Sequence, residues 1–68
     1  MEQGWVKIYK TDKDYQADIV IELLDENTIK AVKINKRDSS YQAFGNIEVY
    51  VKEENTEKAL QIIKKSAL

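Results

Sequence analysis

The spacing of apolar positions divides the chain into five short segments. From Trp5 to Lys10 the pattern alternates, with Val6 and Ile8 on one side and Trp5, Lys7 and Tyr9 on the other, the period-two signature of a half-buried strand. Between Tyr15 and Leu24 the period lengthens. Ala17, Val20, Ile21 and Leu24 fall at i, i+3, i+4 and i+7, flanked by a second row of Tyr15, Ile19 and Leu23, a stripe wide enough for a largely covered helix. Thr11 stands where its N-cap would be, Asp12 and Asp14 follow near the positive end of the helix dipole, and Asn27, which tolerates the left-handed conformation, ends it. Alternation returns from Ile29 to Lys36, with Val32 and Ile34 on one side and Ala31, Lys33 and Asn35 on the other. It is cleanest from Asn46 to Lys52, where Ile47, Val49 and Val51 face away from Glu48, Tyr50 and Lys52. Asn55 then caps a final helix whose buried row is Ala59, Leu60, Ile63 and Ala67, with Ile62 beside it.

Strand, helix, strand, strand, helix predicts an α+β domain. A right-handed crossover joins the first two strands, and the third, antiparallel to the second, inserts between them. The expected architecture is a ferredoxin-like half-sandwich: a three-stranded antiparallel sheet of order 1-3-2 with two helices on one face. That face would be made by Val6, Ile8, Val32, Ile34, Ile47, Val49 and Val51. The opposite face and the edge of the first strand would be left open.

Composition narrows the chemistry. With 68 residues the chain has room for one core, so residues 1–68 read as one domain. It contains no Cys and no His, which removes disulfides, thiolate nucleophiles, the usual zinc and iron–sulfur ligands and the imidazole base of nucleophilic triads. The expectation is a protein that is not an enzyme and uses no cofactor and no metal. Eleven Lys and Arg against twelve Asp and Glu give a net charge of -1, so no global field draws the chain to nucleic acid or an anionic membrane. No apolar run approaches the roughly 18 residues of a membrane span, and Met1 to Gly4 lack the pattern of a signal peptide, so a cytoplasmic protein is expected. A core this small, without staples, makes self-association, for instance as a homodimer, a natural expectation.

Two regions are candidate binding sites. The open sheet face combines Trp5, Tyr9 and Tyr50 with Lys7, Lys33 and Lys52, relieved by Glu48. Aromatics interleaved with lysines can stack bases and hold phosphates, and they equally suit a protein contact or a merely solvated face. The glycine and aromatic pattern of the RNA-recognition signature is absent. The segment from Arg37 to Gly45 is too long for a tight hairpin and places the Ser39, Ser40 and Tyr41 hydroxyls beside one cation, with Phe44 able to tuck against a helix end. Such a loop can hold an anion or recognise a partner, although no glycine-rich cradle supports it. The carboxylate pairs of the first helix, Asp14 with Asp18, Asp18 with Glu22 and Glu22 with Glu26, read as a solvated face, because acid–base or metal chemistry needs a cleft and converging ligands.

The run Tyr15-Gln-Ala-Asp-Ile-Val-Ile-Glu-Leu-Leu-Asp-Glu-Asn-Thr-Ile-Lys-Ala-Val, then Asp38-Ser-Ser-Tyr, Gly45-Asn-Ile-Glu-Val-Tyr-Val and Glu57-Lys-Ala-Leu, resembles the putative prokaryotic signal-transducing protein family. These are short bacterial domains of uncharacterised function, and the resemblance covers nearly all of Trp5 to Lys65. The family's helix typically ends in Leu-Leu, a turn and an Ile, and its last helix has Ala as first buried residue. Leu23, Leu24, Ile29 and Ala59 match, while the Gly that often precedes the Ile is Thr28 here. The family's name implies likeness to nitrogen-regulatory signalling proteins, whose ferredoxin-like fold carries a partner-binding loop between the second and third strands. The leading expectation is a non-catalytic protein-interaction or regulatory module acting through the open sheet or the first-strand edge, with a single-stranded nucleic-acid binder as the alternative.

Overall fold

A computed structural model of the chain describes residues 4–35 and 47–66. Its elements are β1 (Trp5–Thr11), α1 (Asp14–Glu26), β2 (Ala31–Asn35), β3 (Ile47–Lys52), a 3₁₀ turn (Glu53–Asn55) and α2 (Thr56–Ser66). The sheet has the order β1-β3-β2, and β3 is antiparallel to both neighbours. This is the expected α+β architecture. Lys36 and Asn46, the segment 37–45 with Arg37, Ser39, Ser40, Tyr41 and Phe44, and Ala67 lie outside the described residues.

The central strand carries the core. Ile47, Val49 and Val51 are each at 0% exposure and form one cluster with Ala17, Val20 and Leu24 of α1 and with Ala59 and Ile63 of α2. Because alternate residues of a strand share a face, both helices cover the same side of the sheet. On each helix the buried positions are spaced three or four apart and the stripe is narrower than the sequence suggests. Tyr15 is 59% exposed and Ile19 39%, so these two members of the second apolar row of α1 face solvent, while Leu23 is half-buried. Leu60, expected in the buried row of α2, is 47% exposed. It sits one residue past Ala59 and so turns about 100° away from the line joining Ala59 to Ile63.

The loop out of α1 is a Schellman motif. The Thr28 amide donates to the Asp25 carbonyl at 3.0 Å and the Ile29 amide to the Leu24 carbonyl at 2.8 Å. The side chain of Asn27 donates to the Leu23 carbonyl at 2.8 Å, satisfying another helix-end acceptor. The left-handed position falls on Thr28, with φ of 61°, and not on Asn27, whose φ is -101°. Ile29 and Leu24, both buried, make the apolar contact that usually accompanies this motif. The other helix entrances also differ from expectation. Lys13 is the N-cap of α1 and has no side-chain cap, while Thr11 remains in β1, accepting the Lys13 amide at 3.1 Å on its hydroxyl. Asn55 closes the 3₁₀ turn that runs directly into α2, so it does not open that helix from an extended strand.

Register decides which residues share a face, and it reverses two expectations. Directly opposed residues in an antiparallel pair point to the same side. In β2, Ala31, Lys33 and Asn35 oppose Val51, Val49 and Ile47 and therefore lie on the helix side, while Val32 and Ile34 oppose Tyr50 and Glu48 and lie on the open side. The cause is Ile29. Its burial beneath the end of α1 fixes the phase, and a period of two carries that phase to Ala31 and Lys33. In β1 the ladder slips between Lys7 and Tyr9, a β-bulge in which Ile8 and Tyr9 meet Val49 together. Val6 and Ile8 keep their expected side, but beyond the bulge Tyr9 and Thr11 turn to the helix side and Lys10 to the open side.

Two stability outcomes follow from these placements. A β-branched residue at φ of 61° carries roughly 1–2 kcal/mol of strain, partly offset by the greater chain entropy that glycine loses on folding. Thr28→Gly is expected to raise stability by about 0.5–1 kcal/mol, a melting shift of a few degrees. Val49→Asp places an unpaired charge at the centre of the core, and its circular-dichroism melt is expected to lose cooperativity altogether.

Candidate functional site

Of the six residues expected on the open sheet face, the structure keeps four together. Trp5 opposes Lys52 and Lys7 opposes Tyr50 across the β1–β3 ladder, all on the side away from the helices. Val32, Ile34 and Lys10 join them, placed there by the phase of β2 and by the bulge. Tyr9 and Lys33 leave. Tyr9 packs against the core cluster, with a long 3.5 Å contact from its hydroxyl to Gln16 Oε1 on α1. The same oxygen accepts the Thr11 hydroxyl at 2.7 Å, so Gln16 joins the end of β1 to the start of α1.

Lys33 sits on the helix side of an edge strand and reaches back to α1. Its Nζ lies 2.8 Å from Asp18 Oδ1 and 3.1 Å from Asp14 Oδ1. One lysine thus serves the two carboxylates that the helix stacks at i and i+4. Hydrogen bonds to Asp18 first and Asp14 second raise the Lys33 pKa above the ordinary 10.5, against a smaller opposing effect of burial. The arrangement has a second effect. An inward-pointing charge is a common device for making an edge strand a poor template for pairing, and at the other edge the bulge of β1 and its lysines have the same effect.

The middle of the open face is organised by Glu48. Its side chain projects from the central strand away from both helices, yet the residue is only 7% exposed. The Tyr50 hydroxyl donates to Glu48 Oε1 at 2.8 Å, and Lys7 Nζ lies 3.3 Å from Oε2. A carboxylate removed from water in this way must be paired, which fixes the positions of Lys7 and Tyr50. At the end of the sheet the Lys52 ammonium lies 5.5 Å from the Trp5 ring centroid, a cation–π contact. There the Glu53 amide donates to the Gly4 carbonyl at 2.6 Å, tying the start of β1 to the end of β3.

The face is therefore a layer of Trp5, Val32, Ile34 and Tyr50 with its charges largely engaged within the chain. No helix among the described residues is long and apolar enough to cross a membrane. Comparison with known families places this fold. A family model described as putative prokaryotic signal transducing protein matches residues 5–67 of the chain. The chain belongs to that family. The match spans every element described above, including the Schellman turn and the sheet face. No curated protein matches the chain. Sequence reasoning missed Val32, Ile34 and Lys10 as open-face residues; the available signal was Ile29, whose place after the helix stop sets the phase of everything that follows.

The ion pair gives a pH signature. The raised Lys33 pKa means that the bridge contributes fully below the unfolded lysine value of about 10.5 and that its contribution is lost as pH rises through the higher folded value. Relative to Lys33→Met, the parent protein is expected to lose stability in this alkaline window, and added salt should shrink the difference. Denaturant titrations of both proteins on either side of pH ~10.5 measure this.

Proposed function

We propose that this chain is a non-catalytic, cytoplasmic signalling module that works by binding a partner protein through its open sheet face. The observation that carries this reading is the apolar and aromatic layer of Trp5, Val32, Ile34 and Tyr50 on a face that no described element covers. Contiguous apolar surface of this kind marks interaction sites in small soluble domains, and aromatic residues are enriched at the centres of protein interfaces. Membership of a family described as signal transducing accords with such a role. Both sheet edges are guarded, by the β1 bulge and by Lys33, so the face and not an edge is the surface assigned to the partner.

The alternative of a single-stranded nucleic-acid platform draws less support from the geometry. It needs several aromatics and free cations on one face. Tyr9 and Lys33 are on the other side, Lys7 is paired with Glu48, and Lys52 lies over the ring of Trp5.

The test uses a partner captured from a prokaryotic lysate and then purified. Trp5→Ser combined with Ile34→Ser is expected to weaken its binding at least tenfold, about 1.4 kcal/mol, with the fold preserved, whereas Tyr15→Ser on the outer side of α1 should bind as the parent does. Equal affinity of parent and sheet-face variant would overturn the assignment. Salt-dependent quenching of Trp5 fluorescence by a single-stranded oligonucleotide, with no partner protein retained, would favour the alternative.

A further inference from the structure

Where α1 ends and the chain turns back into β2, a surface groove of about 470 Å³ opens between the helix and the strand. Ile21, Ile29 and Ala31 supply its apolar lining, while Glu22, Asp25 and Lys30 bring charge to it. The groove continues the seam that Lys33 closes further along. At that end, one strand lysine answers two helix carboxylates, Asp14 and Asp18. At this end the helix again presents two carboxylates on one side, Glu22 and Asp25 at i and i+3, and the strand position two residues before Lys33 is Ala31. Ala31, with only a methyl group, lines the groove at this position. Among the described residues neither Glu22 nor Asp25 makes an ion pair, and Lys30 lines the groove without bonding to either.

We infer that this groove receives a lysine or arginine side chain from an exposed segment of a partner protein. The aliphatic stem would lie on Ile21, Ile29 and Ala31, and the cationic head would reach Glu22 and Asp25, reproducing in trans the contact that Lys33 makes in cis. Long basic side chains suit such a site because they bury an apolar stem while keeping the charge at a polar rim. An arginine adds a planar fork that matches carboxylates. The inference does not depend on the sheet-face reading, since the groove lies between α1 and β2 and shares no residue with Trp5, Val32, Ile34 and Tyr50.

The probe is the capped pentapeptide Gly-Val-Arg-Val-Gly, with Gly-Val-Glu-Val-Gly as control, each titrated to millimolar concentration into the isotopically labelled full chain. The arginine peptide is expected to give saturable amide shifts at Ile21, Glu22, Asp25, Ile29 and Ala31 that weaken with salt, and the glutamate peptide none. Glu22→Gln combined with Asp25→Asn removes only exposed charge and should lower the affinity at least tenfold. Ala31→Lys supplies the cation within the chain and should block the site. No saturable shift, equal response to both peptides, or unchanged affinity in the carboxylate variant would overturn the inference. Shifts confined to Trp5, Ile34 and Tyr50 would also overturn it while leaving the sheet-face reading intact.

Discussion

The inward burial of Ile47, Val49 and Val51 is the constraint from which the other placements follow. The strand that carries them is paired on both sides, and antiparallel pairing forces each opposed residue onto the same face. Once these three residues meet Val20 and Leu24 of α1 and Ala59 of α2, the side taken by every residue of both edge strands is fixed by register alone. A slip of one residue would exchange the two faces completely. The chain prevents a slip at β2 by anchoring Ile29 beneath the end of α1, and at β1 it accommodates a change of phase with a bulge that lets Ile8 and Tyr9 both face the core.

Two chemically different surfaces result. The helix side is closed by apolar packing and, at its margins, by polar contacts between strand and helix: Thr11 with Gln16 at one edge and Lys33 with Asp14 and Asp18 at the other. No described helix covers the open side, and there Glu48 holds Lys7 and Tyr50 in place among Trp5, Val32 and Ile34. Ordered polar groups beside apolar ones are what a recognition surface requires, because side chains already fixed lose less entropy when a partner binds. A signalling role, as the family description has it, is compatible with a three-stranded scaffold that carries an apolar and aromatic layer on one side.

The elements and their order were legible because each depends on local pattern. The alternation of β3, the helical spacing of Ala17, Val20 and Leu24, and the Leu-Leu, turn and Ile sequence at the end of α1 all report structure directly. The phase of β2 was not legible from the strand itself. In Ala31-Val-Lys-Ile-Asn35 the larger apolar residues are Val32 and Ile34, and local hydrophobicity assigns them to the core. The phase set by Ile29 puts Lys33 on the inner side, and Asp14 and Asp18 of a helix 19 and 15 residues earlier neutralise it there, a contact no strand pattern can encode. The bulge was likewise hidden, since Ile8 and Tyr9 look like ordinary alternation until Tyr9 is found beside the core and Thr11 buried. Tyr15, Ile19 and Leu60 were overestimated as core for a related reason: the apolar stripe reports which side of a helix can be buried, while the width of a three-stranded sheet limits how much of it is.

Methyl-resolved nuclear Overhauser spectroscopy tests the two-faced arrangement most directly. Cross-strand partners have Cβ atoms about 4.5–5.5 Å apart, so their side-chain protons exchange magnetisation strongly. Contacts from Val32 methyls to the Tyr50 ring are expected, together with contacts from both Ile8 and Tyr9 to the Val49 methyls, and none from Val32 or Ile34 to Val20 or Leu24. Strong contacts from Val32 or Ile34 to Val20 and Leu24 would contradict the assigned phase and return Lys33 to the open face.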